Sequence, residues 1–407
     1  MPTPVTPLGV DPTITKMSRV HELPAYDGVT LPPAPAISES PRCQLFLGFE
    51  ALARTGCNSP IVRTIFAVHQ FAGFVFGAYL IVVCGTGAAI LMLENQIAGY
   101  RDYPMLPVPI RAHQATLARM VQTVQRANPR TPVYHILESC ARGCTYDLSM
   151  HAERGRLDAL VDPFTGAIVK TVQWDRTPIG VLYRLHGSLM AGDIGETVNA
   201  IAGLSAVLLG ATGLALWPGW RSPRRGFTIA WRGTPFRINY DLHKLAGITA
   251  VLFLFMWALT AAGQVFWPEP PEPIPESREA GRALGLDRLA EIGNAALPGE
   301  LTFVYTAAGG TVVVRKRVPG DPDPYGYSYV AVDARTGTIR RVYDIRKFPL
   351  PWRIRAALYA VHIGSPGGTV LRSIYAVAGL APALLFTTAL LMWLNQVRPP
   401  VAPSPKN

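Results

Sequence analysis

Residues 65–93 read IFAVHQFAGFVFGAYLIVVCGTGAAILML, 29 consecutive positions without an aspartate, glutamate, lysine or arginine. A helix rises ~1.5 Å per residue, so this run is long enough to cross a hydrocarbon core about 30 Å thick. A buried helix of a soluble domain would be shorter and amphipathic. Three further runs share the pattern, at 198–217, 245–267 and 374–394. Four membrane-spanning helices are therefore predicted, which makes the lipid bilayer the first partner. Composition agrees, since only 16% of the 407 residues are charged and 49% are hydrophobic, against about 25% charged in soluble domains. The net charge of +11 then points to a membrane and not to nucleic acid.

The short connection between the second and third runs sets the orientation. Residues 218–242 hold Arg221, Arg224, Arg225, Arg232 and Arg237 against one acid, Asp241, the excess expected of a cytoplasmic loop. Both termini are then expected inside and the two long connections outside. Residues 1–41 are rich in proline, lack an apolar signal core and are expected to form a disordered tail, followed by a short helix at 43–60. The expected order is a tail at 1–60, a spanning helix at 61–94, an outside domain at 95–182, and an interfacial segment with the second helix at 183–217. The basic loop at 218–242, the third helix at 243–267, a second outside domain at 268–357, an interfacial segment with the fourth helix at 358–397, and a tail at 398–407 complete it.

The halves resemble each other. His69-Gln-Phe-Ala-Gly73 matches His243-Lys-Leu-Ala-Gly247, and Thr86 and Thr260 stand at the same interval after them. Val161-Asp-Pro-Phe-Thr-Gly166 matches Val332-Asp-Ala-Arg-Thr-Gly337. Leu182-Tyr-Arg-Leu-His186 matches Leu358-Tyr-Ala-Val-His362, and Ala200-Ile-Ala-Gly-Leu204 matches Ala376-Val-Ala-Gly-Leu380. Trp217 and Trp393 then follow at equal distances. A chain of two repeated halves is the simplest account. Each outside segment reads as a small α+β domain. Leu117, Met120, Val121 and Val124 lie at helical spacing before strand-like stretches at 133–137, 146–150 and 157–161. A helix at 286–292 precedes stretches at 301–305, 311–314, 327–332 and 338–342. The Asp-x-x-Thr-Gly step is expected to be a hairpin turn.

Histidine carries the chemistry. His113, His135 and His151 have no counterpart in the other half and are assigned surface or structural roles. His69, His243, His186 and His362 occupy matching places near the ends of spanning helices, where an ionisable side chain marks function. The topology predicts two pairs: His69 with His243 near the inner surface, and His186 with His362 on short interfacial helices at the outer rim. Facing imidazoles supply the axial nitrogens of a six-coordinate haem, so two b-type haems are expected, with these four histidines on the iron. Ala72, Gly73, Gly77, Ala246, Gly247 and Gly187 leave room for a flat macrocycle, and Arg63, Arg237 and Lys244 are candidates for its propionates. Zinc is disfavoured, because two histidines per face leave its shell incomplete. No Cys-x-x-Cys-His supports covalent haem, and no glycine fingerprint or phosphate loop supports nicotinamide or ATP. Cys140 and Cys144 lie on the oxidising side and are placed for a disulfide. Cys43, Cys57 and Cys84 are expected to be cytoplasmic or intramembrane thiols.

Taken together, the duplicated His-x-x-x-Gly, Val-Asp-x-x-Thr-Gly, Leu-Tyr-x-x-His and Ala-Gly-Leu elements resemble the PepSY-associated transmembrane helix family over about residues 60–397. The resemblance implies an α-helical membrane protein of four spanning helices in two repeated halves, each with a periplasmic α+β PepSY-like domain, in a bacterial inner membrane. It further implies a ferric-siderophore reductase that releases Fe(II) from a siderophore or other Fe(III) chelate, supplied by a quinol or a cytoplasmic reductant. Two other readings stay open: a PepSY-type regulatory binding protein without haem, and a transporter component, which should show helices broken at the midplane.

Overall fold

The computed structural model describes residues 59–96, 106–137, 143–153, 155–268, 282–307 and 310–397. The expected tails as far as residue 58 and from residue 398, with Cys43, Cys57 and Cys140, lie outside these residues. Cys144 is disulfide-bonded and Cys84 is a free thiol.

Among the described residues four helical stretches are long and apolar enough to cross a membrane: Pro60–Leu93, Gly192–Leu216, Pro235–Phe266 and Ser365–Asn395. The first belongs to α1 (Pro60–Gln96). It is followed by α2 (Leu117–Ala127), strands β1 (Val133–Leu137), β2 (Tyr146–Ala152), β3 (Gly155–Val161) and β4 (Ile168–Gln173), and helices α3 (Pro178–Ser188), α4 (Gly192–Gly203) and α5 (Ser205–Leu216). A short α6 (Pro223–Phe227) lies in the basic connection. The same order then recurs: α7 (Pro235–Phe266), α8 (Leu286–Ala296), β5 (Glu300–Ala307), β6 (Thr311–Arg317), β7 (Ser328–Asp333), β8 (Ile339–Tyr343), α9 (Leu350–His362), α10 (Gly368–Ala378) and α11 (Ala381–Val397).

The third spanning helix starts earlier than its apolar run. Thr234 caps α7 by accepting from the Arg237 N–H at 3.3 Å, and Pro235 opens it, a preferred pairing of residues at a helix start. The ion pair from Arg237 to Asp241, one turn apart, carries the helix through this polar turn. His243 and His69 consequently sit more than two turns inside their helices and not in the first turn.

The second and fourth spans differ from the expectation of uninterrupted helices. Each breaks at its Ala-Gly-Leu step, between α4 and α5 at Leu204 and between α10 and α11 at Gly379–Leu380. The Leu204 N–H donates to the Ile201 carbonyl and the Leu380 N–H to the Val377 carbonyl, both at 3.1 Å. Such three-residue bonds tighten the turn and bend the rod. Leu204 and Gly379 keep right-handed helical dihedrals, so the backbone bends without unwinding. In the bundle α1 packs on α3, α5, α10 and α11, while α7 packs on α4, α5, α9 and α11. Glycines admit large neighbours at the crossings: Phe386 of α11 lies where a Gly77 side chain would begin, and Phe255 of α7 does the same at Gly210.

The two long connections, expected as two separate outside domains, form one antiparallel sheet in the order β4-β3-β2-β1-β5-β6-β7-β8. Each half supplies a four-stranded meander, and the meanders join through β1 and β5, with His135 opposite Tyr305, Ile136 opposite Val304 and Leu137 opposite Phe303. The physical reason is edge protection: β1 and β5 are apolar strands whose free edges would otherwise face water. β4 is a strand that the sequence reading lacked. Met120 and Val124 of α2 and Leu289 of α8 cover one face, over Ile136, Leu148, Val304, Val314 and Val330. The halves also share a cap, since the Asp287 carboxylate of α8 accepts from the Leu117 and Ala118 N–H groups of α2 at 2.6 and 3.1 Å. Both Asp-x-x-Thr-Gly steps are turns. Asp162 accepts from the Phe164 N–H and Asp333 from the Arg335 N–H, and Gly166 and Gly337 take the positive φ.

Candidate functional site

The bundle brings the four histidines together in two pairs. The rings of His69 on α1 and His243 on α7 have centroids 6.2 Å apart with planes at 87°. Those of His186 on α3 and His362 on α9 are 6.0 Å apart at 55°. His69 and Thr86 lie 17 residues apart on one helix, so the two pairs are separated by ~25 Å along its axis.

Each ring is held at Nδ1 by a threonine on another helix. His69 meets Thr212 of α5 at 2.9 Å, and His243 meets Thr388 of α11 at 3.0 Å. His362 meets Thr260 of α7 at 2.8 Å, and His186 meets Thr86 of α1 at 3.4 Å. A hydroxyl has one proton to donate, and each of these gives it to the carbonyl one turn back in its own helix: Thr212 to Leu208, Thr388 to Leu384, Thr260 to Met256 and Thr86 to Val82. With that proton given to the helix, an oxygen lone pair is left to accept from an imidazole Nδ1–H, and the tautomer is assigned on that basis. Two carbonyls, which can only accept, agree: Val83 lies 2.8 Å from His186 Nδ1 and Leu385 lies 3.0 Å from His243 Nδ1. With the proton on Nδ1, the lone pair of each ring is on Nε2. None of the four Nε2 atoms has a hydrogen-bond partner among the described residues.

This donor set fits a metal held between two imidazoles. A metal–nitrogen bond of about 2 Å on each side, plus the distance from nitrogen to ring centre, places two centroids ~6 Å apart. Engaging Nδ1 to orient a ligating ring is the usual outer-shell device. A cavity of about 250 Å³ reaches the rings of His69 and His243, with Gly73, Gly77, Gly213 and Gly247 in its walls. A Cβ on Gly213 would lie 3.2 Å from His69 Cε1. At the outer pair a Cβ on Gly87 would lie 2.8 Å from His186 Cε1. The corresponding position on α7 is Ala261, so the two halves crowd their histidines differently. Among the described residues no three His, Cys, Asp or Glu side chains gather for a metal ion.

Two of the cations proposed for haem propionates have other partners. Lys244 donates to Asp241 and to the Arg225 carbonyl, both at 2.6 Å, and Arg237 donates to Asp241 at 3.1 Å. Arg63 is exposed near the start of α1. Trp217 and Trp393, marked by their spacing alone, line the inner cavity. Tyr79 donates to Asn199, whose amide donates to the His186 carbonyl at 2.7 Å, and Trp257 donates to the His362 carbonyl at 3.1 Å. These bonds anchor the ends of the two short helices.

The remaining histidines are apart from the pairs. His113 and His151 are exposed, and His151 stacks on Tyr134 at 3.9 Å. His135 is buried in the β1–β5 seam, where burial, with Arg156 and Arg315 nearby, pushes its pKa down to about 3.

The family model of the PepSY-associated TM region matches residues 66–396. The chain belongs to the PepSY-associated transmembrane family. Both histidine pairs and both meanders of this family member fall inside the matched span. No curated protein matches it.

Proposed function

We propose that this PepSY-associated protein is a b-type dihaem electron carrier of the bacterial inner membrane that reduces Fe(III) chelates, ferric siderophores among them, on the periplasmic side. In this reading the two halves are repeats, both termini are cytoplasmic, and the sheet is periplasmic. The basic 218–234 segment supports that orientation. The observation that carries the reading is the pair of facing imidazoles at each end of the bundle, each with a hydrogen-bonded Nδ1 and no hydrogen-bond partner on Nε2 among the described residues.

His69 with His243, and His186 with His362, would hold one haem each, which would supply one-electron transfer when bound. The four threonines fix ring rotation and keep the proton off Nε2. Apolar walls keep water from the inner pair. A quinol, oxidised to quinone with loss of two protons, would supply two electrons at the inner side and so reduce two chelated Fe(III) ions in turn at the outer side, while a one-electron cytoplasmic reductant would reduce one. Siderophore oxygen donors suit the hard ferric ion and hold the ferrous ion far more weakly, so reduction releases the metal. The second and fourth spans bend near their middles, as the transporter reading asks, but Leu204 and Gly379 keep right-handed helical dihedrals, so neither span is unwound in the way a midplane substrate site requires.

The test is a reduced-minus-oxidised spectrum with haem stoichiometry on purified, haem-supplied protein. Two b haems are expected in the parent, and one each in His186→Ala and His243→Ala. Ferric-chelate reduction by the pre-reduced protein should fail in His186→Ala. A parent without haem overturns the proposal in favour of the regulatory binding protein.

A further inference from the structure

The connection between α5 and α7 is a folded cap and not a loose tether. It joins two spanning helices at the end of the bundle opposite to the sheet. Its centre is the Trp217 ring, packed so closely on Gly219 and Gly226 that a Cβ at Gly226 would lie 2.6 Å from Trp217 Cζ2. Trp220 and Phe227 meet Trp217 edge-on at 5.5 and 5.3 Å. Trp220 Nε1 donates to the Leu214 carbonyl at 2.6 Å, satisfying an end group of α5. On the α7 side the buried Asp241 accepts from the Ala230 N–H at 3.0 Å, and Lys244 holds the Arg225 carbonyl.

The outside of this cap has a distinct chemistry. Arg221, Arg224, Arg225 and Arg232 are exposed, and none has an acidic partner among the described residues. Beside them Trp220, Phe227 and Trp231 are 64%, 53% and 68% exposed. Large aromatic rings in water are unfavourable, whereas amphipathic indoles suit the boundary between headgroups and acyl chains. Guanidinium groups match phosphate with paired donors. Both features lie where two spanning helices end, at headgroup level.

We infer that the 217–234 cap is a binding site for anionic phospholipid headgroups, with the four arginines on the phosphates and the three exposed aromatics seated in the interface. This inference does not depend on haem. Trp217 also lines the cavity between His69 and His243, so an occupied cap braces one wall of that cavity.

The test uses the full chain in detergent, titrated with phosphatidylglycerol or phosphatidylcholine, with bound lipid counted by native mass spectrometry and the unfolding midpoint followed in parallel. Preferential retention of phosphatidylglycerol and a midpoint raised by that lipid alone are expected. At ~1 kcal/mol per arginine near an anionic surface, Arg224→Gln with Arg225→Gln should lower phosphatidylglycerol affinity by about thirtyfold. Arg126→Gln with Arg130→Gln, on the sheet domain, should leave it unchanged. Arg232→Gln alone provides a milder variant, and an unaltered midpoint in phosphatidylcholine shows that the fold is kept. No lipid preference in the parent, or the same preference in the folded cap variants, overturns the inference. So does a cap indifferent to lipid that instead retains an acidic soluble protein.

Discussion

The proton of a threonine hydroxyl decides the chemistry of each imidazole here. Because Thr212 and Thr388 give that proton to their own helices, Thr212→Val should remove the hydroxyl that accepts from His69, leaving the Leu209 carbonyl beside the ring and the helix intact. Loss of such a partner costs roughly 10- to 100-fold in metal affinity. Haem retention at the inner site should fall in T212V, the outer site should stay unchanged, and Thr212→Ser should restore retention. Equal loss at both sites would indicate a general packing fault. Gly87→Ala makes the complementary prediction, since the new methyl would press on His186 and should disturb the outer spectrum alone. The histidines were legible in the sequence because a repeat singles them out. Thr86 and Thr260 were legible as spacings but not as hydrogen-bond partners, since they meet residues some hundred positions away. Thr212 and Thr388 went unread, although each stands eight residues after its Ala-Gly-Leu step.

Elements were foreseen by period and punctuation, and were missed where tertiary contacts set them. Seven of the strands followed alternation, and both turns followed Asp and Gly. The bends at Leu204 and Gly379 were hidden inside apolar runs that read as continuous helix. The cap that α8 lends to α2 was also invisible, because Asp287 lies 170 positions from Leu117. Asp287→Ala should cost about 1–2 kcal/mol through the two N–H groups it abandons. Thermal unfolding of the sheet domain would measure it, and an unchanged midpoint would falsify the shared-cap account. The His135 ring adds a pH term at the strand seam. Its folded pKa of about 3 lies below the unfolded value near 6.5, so the unfolded chain binds the proton first. The stability it permits is complete above ~6.5 and is lost toward pH 3, at ~1.4 kcal/mol per unit. His135→Phe should therefore lose less stability than the parent on acidification. Asp147 and Asp158, whose pKa values burial raises, act in the opposite sense and cancel in that comparison.

At the scale of the molecule the sequence suggested two domains on a bundle, and the structure has one sheet. Edge pairing between meanders depends on which strands lie outermost and how the helices beneath orient them, and neither is written locally. A shared core predicts one cooperative transition for all eight strands. Calorimetry of the sheet domain showing two separable transitions would sink that idea. Ile136→Asp, at the centre of the seam, should destabilise both meanders together by ~3 kcal/mol or more, since it buries an unpaired charge.

The β1–β5 seam joins like strand to like strand, as two identical subunits would across a symmetry axis. In a homodimer every side chain on that axis must serve both partners alike. A single chain is released from that rule. Leu209 and Leu385 serve His69 and His243 alike, but Gly213 faces His69 where the other half carries Ala389, the Val83 carbonyl approaches His186 without a like carbonyl at His362, and Gly87 faces His186 where the other half carries Ala261. Covalent linkage thus lets the two members of each imidazole pair be adjusted one at a time, a freedom that exact symmetry would forbid.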